Sequence, residues 1–178
     1  MGTRRLQRRS TGVAVIEFSL AFIPYFAMLS VLCDASWSIF AKATLQYAVR
    51  SAVRQGITIT GTQATAAGET LTQMVKDTVQ HSALGLLNGT SGRAYIQVHY
   101  LAQDSSSPTG VTDVSTQANG NSPGNIMEVS VNSYPVGALL PRIYSLFMPV
   151  DKSPAMVSAF AADRIEPSND IPSIGSAP

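Results

Sequence analysis

Hydrophobic and polar positions divide the chain into an apolar stem and a patterned remainder. Residues 13–32 form a run of twenty whose only charge is Glu17. At 1.5 Å per residue that is ~30 Å of helix, enough to cross the hydrocarbon core of a bilayer. The period then changes. Residues 34–56 hold no proline and no internal glycine. Ala41, Leu45, Ala48 and Ala52 recur on one helical face, with Lys42, Gln46, Arg50 and Arg54 roughly opposite. One nearly continuous helix over 13–56, ~66 Å long, is therefore expected. It would be apolar all round in its first half and two-faced in its second.

Residues 57–68, rich in Thr, Ala and Gly, read as a connection, with the next helix beginning as early as Thr65 or at Glu69. From Glu69 to Leu87 the period is helical again, and Leu71, Met74, Val75, Val79, Ala83 and Leu86 form the apolar stripe. Asn88-Gly89 supplies the left-handed stop expected past a helix end. Residues 93–101 alternate as a strand, with Ile96, Val98 and Tyr100 on one face and Gln97 and His99 on the other. The polar stretch 102–124 is expected to be a mobile hairpin connection. A second strand over 126–134 would turn Met127, Val129 and Val131 inward. Residues 135–150 are apolar but broken by Pro135, Pro141 and Pro149, too short and interrupted to span a membrane. They read either as core cover for the sheet or as a patch for another subunit. A third strand over 155–162 runs into Asp163-Arg-Ile-Glu-Pro167, and the Pro- and Ser-rich tail 168–178 is expected to be disordered. The fold class is thus α+β: a long amino-terminal transmembrane stem helix, a second amphipathic helix and an antiparallel sheet of about three strands.

Charge sharpens this picture. The chain of 178 residues is 45% hydrophobic and only 13% charged, with a formal net charge of +1. Residues 1–12 carry Arg4, Arg5, Arg8 and Arg9 and no acid. Taking those four from the twelve basic residues leaves eight against eleven acids, a net −3. A slightly acidic remainder argues against nucleic-acid binding, and the basic leader places the amino terminus in the cytoplasm with the bulk of the chain outside. A lone cysteine, Cys33, allows no internal disulfide.

Reactive groups are few. His81 and His99 have no Cys or second His at ligand spacing, so no metal or cofactor is expected. Asp104 and Asp113 lack the third oxygen ligand of a calcium loop. Asn88-Gly-Thr90 matches a glycosylation sequon, but a capping role at the helix stop explains it better. No catalytic residues are assigned, and an enzyme is not expected.

The acid in the stem is the informative group. A carboxylate at mid-helix is unfavourable by ~2.5–3.5 kcal/mol on insertion scales, and less near the interface where Glu17 falls, so such a group usually has a partner. A basic leader, then Gly12-Val-Ala-Val-Ile-Glu17-Phe18-Ser-Leu-Ala-Phe-Ile-Pro24, resembles a type IV pilin-like precursor. More narrowly it resembles the amino-terminal region of TadE-like proteins, the minor pilins or pseudopilins of the Tad (Flp) tight-adherence pilus. The pattern over 45–56 and the closing Arg164-Ile-Glu-Pro167 are also similar to that family.

The resemblance implies cleavage after Gly12 by a membrane prepilin peptidase, with Val13 as the new terminus. It implies that Glu17 pairs with the terminal amine of a neighbouring subunit, and that Phe18 and Pro24 belong to the assembling stem. Implied partners are that peptidase, the major and minor pilins, an inner-membrane assembly platform and the lipid bilayer. The implied location is the bacterial inner membrane, with the head in the periplasm and in an extracellular pilus after assembly. The implied organisation is a leader 1–12, a transmembrane segment 13–32, an amphipathic continuation 33–56, a head 57–167 and a tail 168–178. Pro24 reads equally as a family feature or as an ordinary kink.

The residues alone leave other readings open. In an uncleaved signal anchor carrying a periplasmic binding module, Glu17 would reach the headgroups on its own. A cleavable signal ending near Cys33-Asp34-Ala35 would need an apolar core of only ~7–15 residues.

Overall fold

The computed structural model describes residues 7–137 and 154–175, with side chains from Gly12 onward. Most of the apolar 135–150 segment, for which core cover and subunit patch were the two readings, therefore lies outside the described residues. The chain divides into two compact units, Met1–Ile39 with Gly137–Ala155, and Phe40–Val136 with Met156–Pro178.

In the first unit the described structure is the amino-terminal part of α1 (Gln7–Gly56), an unbroken helix of 50 residues that starts before Gly12. Apolar side chains occupy every face of it. Polar groups inside the run are satisfied locally: Ser19 and Ser30 donate to the carbonyls of Val15 and Phe26, both at 2.9 Å. Hydroxyls that bond back one turn need no water, so serine is tolerated in an apolar helix. Pro24 sits inside α1 without ending it.

The second unit is built on the other end of α1. Leu45, Ala48, Val49, Ala52 and Val53 are buried in its core, on the face that the period predicted, while Lys42, Arg50 and Arg54 stay exposed. Three more helices follow, α2 (Gly61–Ala67), α3 (Leu71–Ser82) and α4 (Gly89–Arg93). The sheet contains β1 (Ile96–Gln103), β2 (Val111–Asp113), β3 (Ile126–Val136) and β4 (Ala155–Arg164), in the order β2-β1-β3-β4. β1 pairs antiparallel with β3, Val98 opposite Val129, and with β2, Ala102 opposite Thr112. Leu71, Val75 and Val79 of α3 meet Ile96, Val98 and Tyr100 of β1 and Met127, Val129 and Val131 of β3 in one core. Gly56 marks the tightest approach, because a Cβ there would lie 2.8 Å from both Met127 Sδ and Val75 Cγ2.

Four features depart from the sequence reading. First, the sheet has four strands, and the extra one, β2, lies in the stretch expected to be a mobile connection. Asp104 organises the turn before it, accepting from Ser106 N (2.9 Å), Ser106 Oγ (2.5 Å) and Thr112 Oγ1 (2.8 Å). Those bonds, Ser106 foremost, hold the Asp104 carboxyl below the usual carboxylate range. Secondly, the stretch 57–68 read as a connection holds a helix of its own, and the helix expected from Glu69, or already from Thr65, to Leu87 covers only Leu71–Ser82. Thr60 with Gln63 and Thr70 with Gln73 each form a capping box, starting α2 and α3 separately. α3 ends at Ser82, where Leu84 (φ 49°) and Gly85 (φ 88°) take the left-handed turn. Thirdly, Asn88 precedes α4, but its side chain makes no capping hydrogen bond.

Fourthly, the tail is not disordered over 168–175. Ser173 O accepts from Leu71 N at 2.8 Å, and Ile174 O accepts from Thr72 N and Thr72 Oγ1. These satisfy two amides that the first turn of α3 would otherwise leave unpaired. Asp170 Oδ2 accepts from Thr62 N (2.7 Å) and Thr62 Oγ1 (2.5 Å), and Asn121 Nδ2 donates to Pro172 O at 2.7 Å. Ile174 is buried. A Pro- and Ser-rich composition hid a segment fixed by groups ~100 residues earlier in the sequence.

Two outcomes test this packing. Leu45→Ala should destabilise the head by about 2–5 kcal/mol. Leu20→Ala, at a position 68% exposed, should change it by less than about 0.5 kcal/mol. Denaturant unfolding of the full-length protein in detergent micelles reads both, and equal effects would contradict the core assignment. The second outcome concerns Asp170, whose carboxyl is held below its ordinary value by the bonds from Thr62. A depressed carboxylate contributes fully above its unfolded pKa, ~3.9, and the contribution is lost as pH falls through the lower folded value. Asp170→Asn should therefore loosen the tail at neutral pH and flatten the acid limb of the stability curve. Hydrogen exchange at the Thr62 and Leu71 amides as a function of pH measures it; a profile identical to that of the unaltered protein would discard this anchor.

Candidate functional site

The stem is assembled from backbone geometry. Residues spaced 4 and 7 apart share a helical face, so α1 places Val13, Glu17, Leu20 and Pro24 on one side. Phe18, Phe22 and Phe26 make an adjacent ladder, with ring centroids 5.7 and 5.9 Å apart along the helix. All of them are exposed, Val13 by 55% and Phe18 by 67%. The Glu17 carboxylate has no hydrogen-bond or ion-pair partner among the described residues. Gly12 lies inside α1, and a Cβ built on it meets nothing within 4 Å. Internal packing thus makes no demand for glycine at that position. The structure brings Gly12, Val13, Glu17, Phe18 and Pro24 onto one helix and leaves their surroundings open. What the arrangement can do is bury apolar faces and neutralise one acid against something outside the molecule.

Polar groups in the head form ties. His99 Nδ1 lies 2.8 Å from Asp113 Oδ2, and Asp113 Oδ1 accepts from Ser115 N (2.9 Å) and from the Ser115 hydroxyl. Burial pushes the Asp113 carboxyl up, but the bonds from Ser115 and His99 outweigh it and hold the group low. Ser115 donates to the acid and not to His99, so the imidazole does not contact the hydroxyl. Its Oγ also accepts from Tyr100 N at 2.8 Å, which fixes the end of β2 against β1. Tyr100 is itself buried, which pushes its phenol up to about 12, and its hydroxyl sits 3.4 Å from Thr72 Oγ1. Arg93 bridges α4 to α3 through Asp77 and, at 3.3 Å, Gln80 Oε1. His81 is exposed on α3. Among the described residues no three His, Cys, Asp or Glu side chains converge on a point where a metal would sit.

The closing Arg164-Ile-Glu-Pro167 stretch, noted in the sequence for its resemblance, forms a clamp. Arg164 Nε donates to Gly124 O at 2.9 Å, Gly124 N to Ile165 O at 3.2 Å and Ile165 N to Asn125 O at 2.8 Å. Past it the backbone lines a cleft of about 210 Å³ with Ile57, Ile59, Asn121, Glu166 and Ile171 among its walls. The two Thr-x-x-Gln boxes and the tail contacts were missed from sequence. The boxes carried a readable signal in their spacing, and the tail carried none.

By length and composition α1 is able to cross a membrane. A family model described as TadE-like protein matches residues 12–54, from Gly12 through Arg54. No curated protein and no solved structure matches the sequence. Over this stem the sequence is similar to TadE-like proteins, a likeness that covers the stem and not the head and suggests an association with the Tad pilus.

Proposed function

We propose that this protein is a minor pilin or pseudopilin of the Tad (Flp) pilus. In this reading a prepilin peptidase cuts between Gly12 and Val13, and the subunit then takes part in pilus assembly and surface adherence. The observation that carries the proposal is Glu17, without a partner among the described residues, on an exposed, apolar helix that matches the TadE-like family model. Held in the bilayer, the stem is solvated by lipid. On assembly its faces bury against other stems, and Glu17 exchanges a poor setting for the ammonium group of a neighbour's Val13. Charge-assisted hydrogen bonds are the strong ones, and stronger still where water is excluded. The head, with its acid groups tied into turns and caps, serves as an interaction body in the periplasm and not as a catalyst. The partners in this reading are the peptidase, the other pilins and the inner-membrane platform that extrudes them.

The test has two arms. Sequencing the amino terminus of the membrane-extracted protein should give Val13, and a terminus at Met1 would instead favour an uncleaved anchor carrying a binding module. Glu17→Gln should leave insertion and processing unchanged but cut recovery of the subunit in sheared pili, or its cross-linking to other pilins, about tenfold, the loss expected for one hydrogen-bonded charge. Recovery equal to that of the unaltered protein would remove the electrostatic partnership.

A further inference from the structure

Two Asn-Gly pairs occur in the head, Asn88-Gly89 and Asn119-Gly120, and the fold treats them differently. Asn88 is exposed, and its carboxamide makes no hydrogen bond among the described residues. Gly89 is also exposed, with φ 66° and open space where a Cβ would stand. The peptide plane between them is held only at its edges. Of that plane Asn88 O is bonded, accepting from Gly92 N at 3.2 Å within the five-residue α4, and Gln80 Nε2 clips the flanking carbonyls, Leu87 O at 2.7 Å and Gly89 O at 3.0 Å. Short helix ends fray, so both restraints open readily.

Around the second pair the backbone is tied at every point. Gly120 is buried, its N–H donates to Gln117 O at 3.1 Å, and its carbonyl accepts from Asn125 Nδ2 at 2.9 Å. Asn119 O accepts from Ser122 N at 3.0 Å and from Ser122 Oγ at 2.6 Å. A Cβ on Gly120 would fall 2.2 Å from Val114 O, so the turn has no room to rotate.

We propose that Asn88 is a site of spontaneous covalent modification, with water as the only co-reactant, and that Asn119 is protected by the fold. The Gly89 amide nitrogen, once its proton is lost to solvent base, attacks Asn88 Cγ. A new bond forms between that nitrogen and Cγ, the bond from Cγ to Nδ2 breaks, and ammonia leaves with a proton from solvent. Water then opens the cyclic imide at either carbonyl, giving aspartate with an ordinary backbone or isoaspartate with the backbone rerouted through Cβ. No oxidant or reductant enters. Ring closure requires the 88–89 peptide plane to turn toward the carboxamide, which glycine at 89 permits and the ties around Gly120 forbid at the other pair. The consequence is a new carboxylate on an already acidic head, and in the isoaspartate form a lengthened backbone that misplaces the Asn88 carbonyl from Gly92.

Tryptic peptides separate the two sites, since cleavage after Lys76, Arg93 and Arg142 puts Asn88 in 77–93 and Asn119 in 94–142. The full-length protein in detergent micelles is incubated in warm, mildly alkaline buffer and followed by peptide mass and by enzymatic labelling of isoaspartate. Peptide 77–93 should gain the mass of an amide-to-acid exchange with ammonia release, at least tenfold faster than 94–142. In denaturant the two rates should converge. Asn88→Gln should remain unmodified in 77–93, because the extra methylene makes the imide a six-membered ring that forms far more slowly. Equal rates in the folded protein, faster change in 94–142, or a stable 77–93 peptide would each overturn the proposal.

Discussion

A helix with apolar groups on every face has no stable place in water, and residues 13–32 of α1 are such a helix. Thirteen large apolar residues between Val13 and Leu32 stand exposed. Each is worth about 1.5–3 kcal/mol when fully removed from water, so the surroundings of the stem are dictated by solvation before any specific contact is made. Within that setting Glu17 is the one group whose preference runs the other way. Serines in the run are already satisfied by carbonyls one turn back. The acid is not, and its free energy changes with whatever approaches the helix. Lipid and a second apolar helix would be two solvents for one surface, distinguished mainly by what they offer a single carboxylate.

The same helix serves a different purpose after Ile39. Its small residues let the core come close: Ala48 and Ala52 are fully buried, and Gly56 admits Met127 and Val75 to within van der Waals distance of the backbone. α3 and the sheet complete that core, and the tail then spans the amino-terminal ends of α2 and α3, supplying acceptors that their first turns lack. Acidic groups in the head are spent on local order. Asp104, Asp113 and Asp170 each accept two or three hydrogen bonds from Ser, Thr or His. This use of carboxylates suits a body that must hold its shape without a disulfide.

Periodicity made the buried faces legible from sequence. Ala41, Leu45, Ala48 and Ala52, the α3 stripe, and the inward residues of β1 and β3 were all readable, because burial on one face leaves a regular trace. β2 was not, since three residues are too few to show a period and its place is set by the Asp104 turn. The separate starts of α2 and α3 were written in the spacing of Thr60 to Gln63 and Thr70 to Gln73, but α2, at seven residues, is too short to show an apolar period. The tail failed for another reason. Its pairing with Leu71 and Thr72 depends on tertiary neighbours, and no local pattern encodes them. At the stem, the sequence singled out Gly12, Glu17, Phe18 and Pro24, and the described residues offer Glu17 no hydrogen-bond or ion-pair partner against which that reading can be set.

Two glycines in α1 show how constraints from inside and outside the fold differ. Gly56 is required by packing, because any larger residue there would strike Met127 and Val75. At Gly12 a Cβ would meet only open space, and a helix interior disfavours glycine by roughly 1 kcal/mol relative to alanine. Folding alone would therefore favour replacing Gly12, and nothing in the head depends on it. A residue that costs helix stability and fills no packing need is consistent with the cut proposed beside it. The Gly12–Val13 bond is where the basic leader meets the apolar run. In the proposed processing the enzyme would have to draw that bond out of α1, and a glycine at the junction lowers the cost of unwinding the helix there. The same substitution that stabilises the isolated helix would then work against its processing.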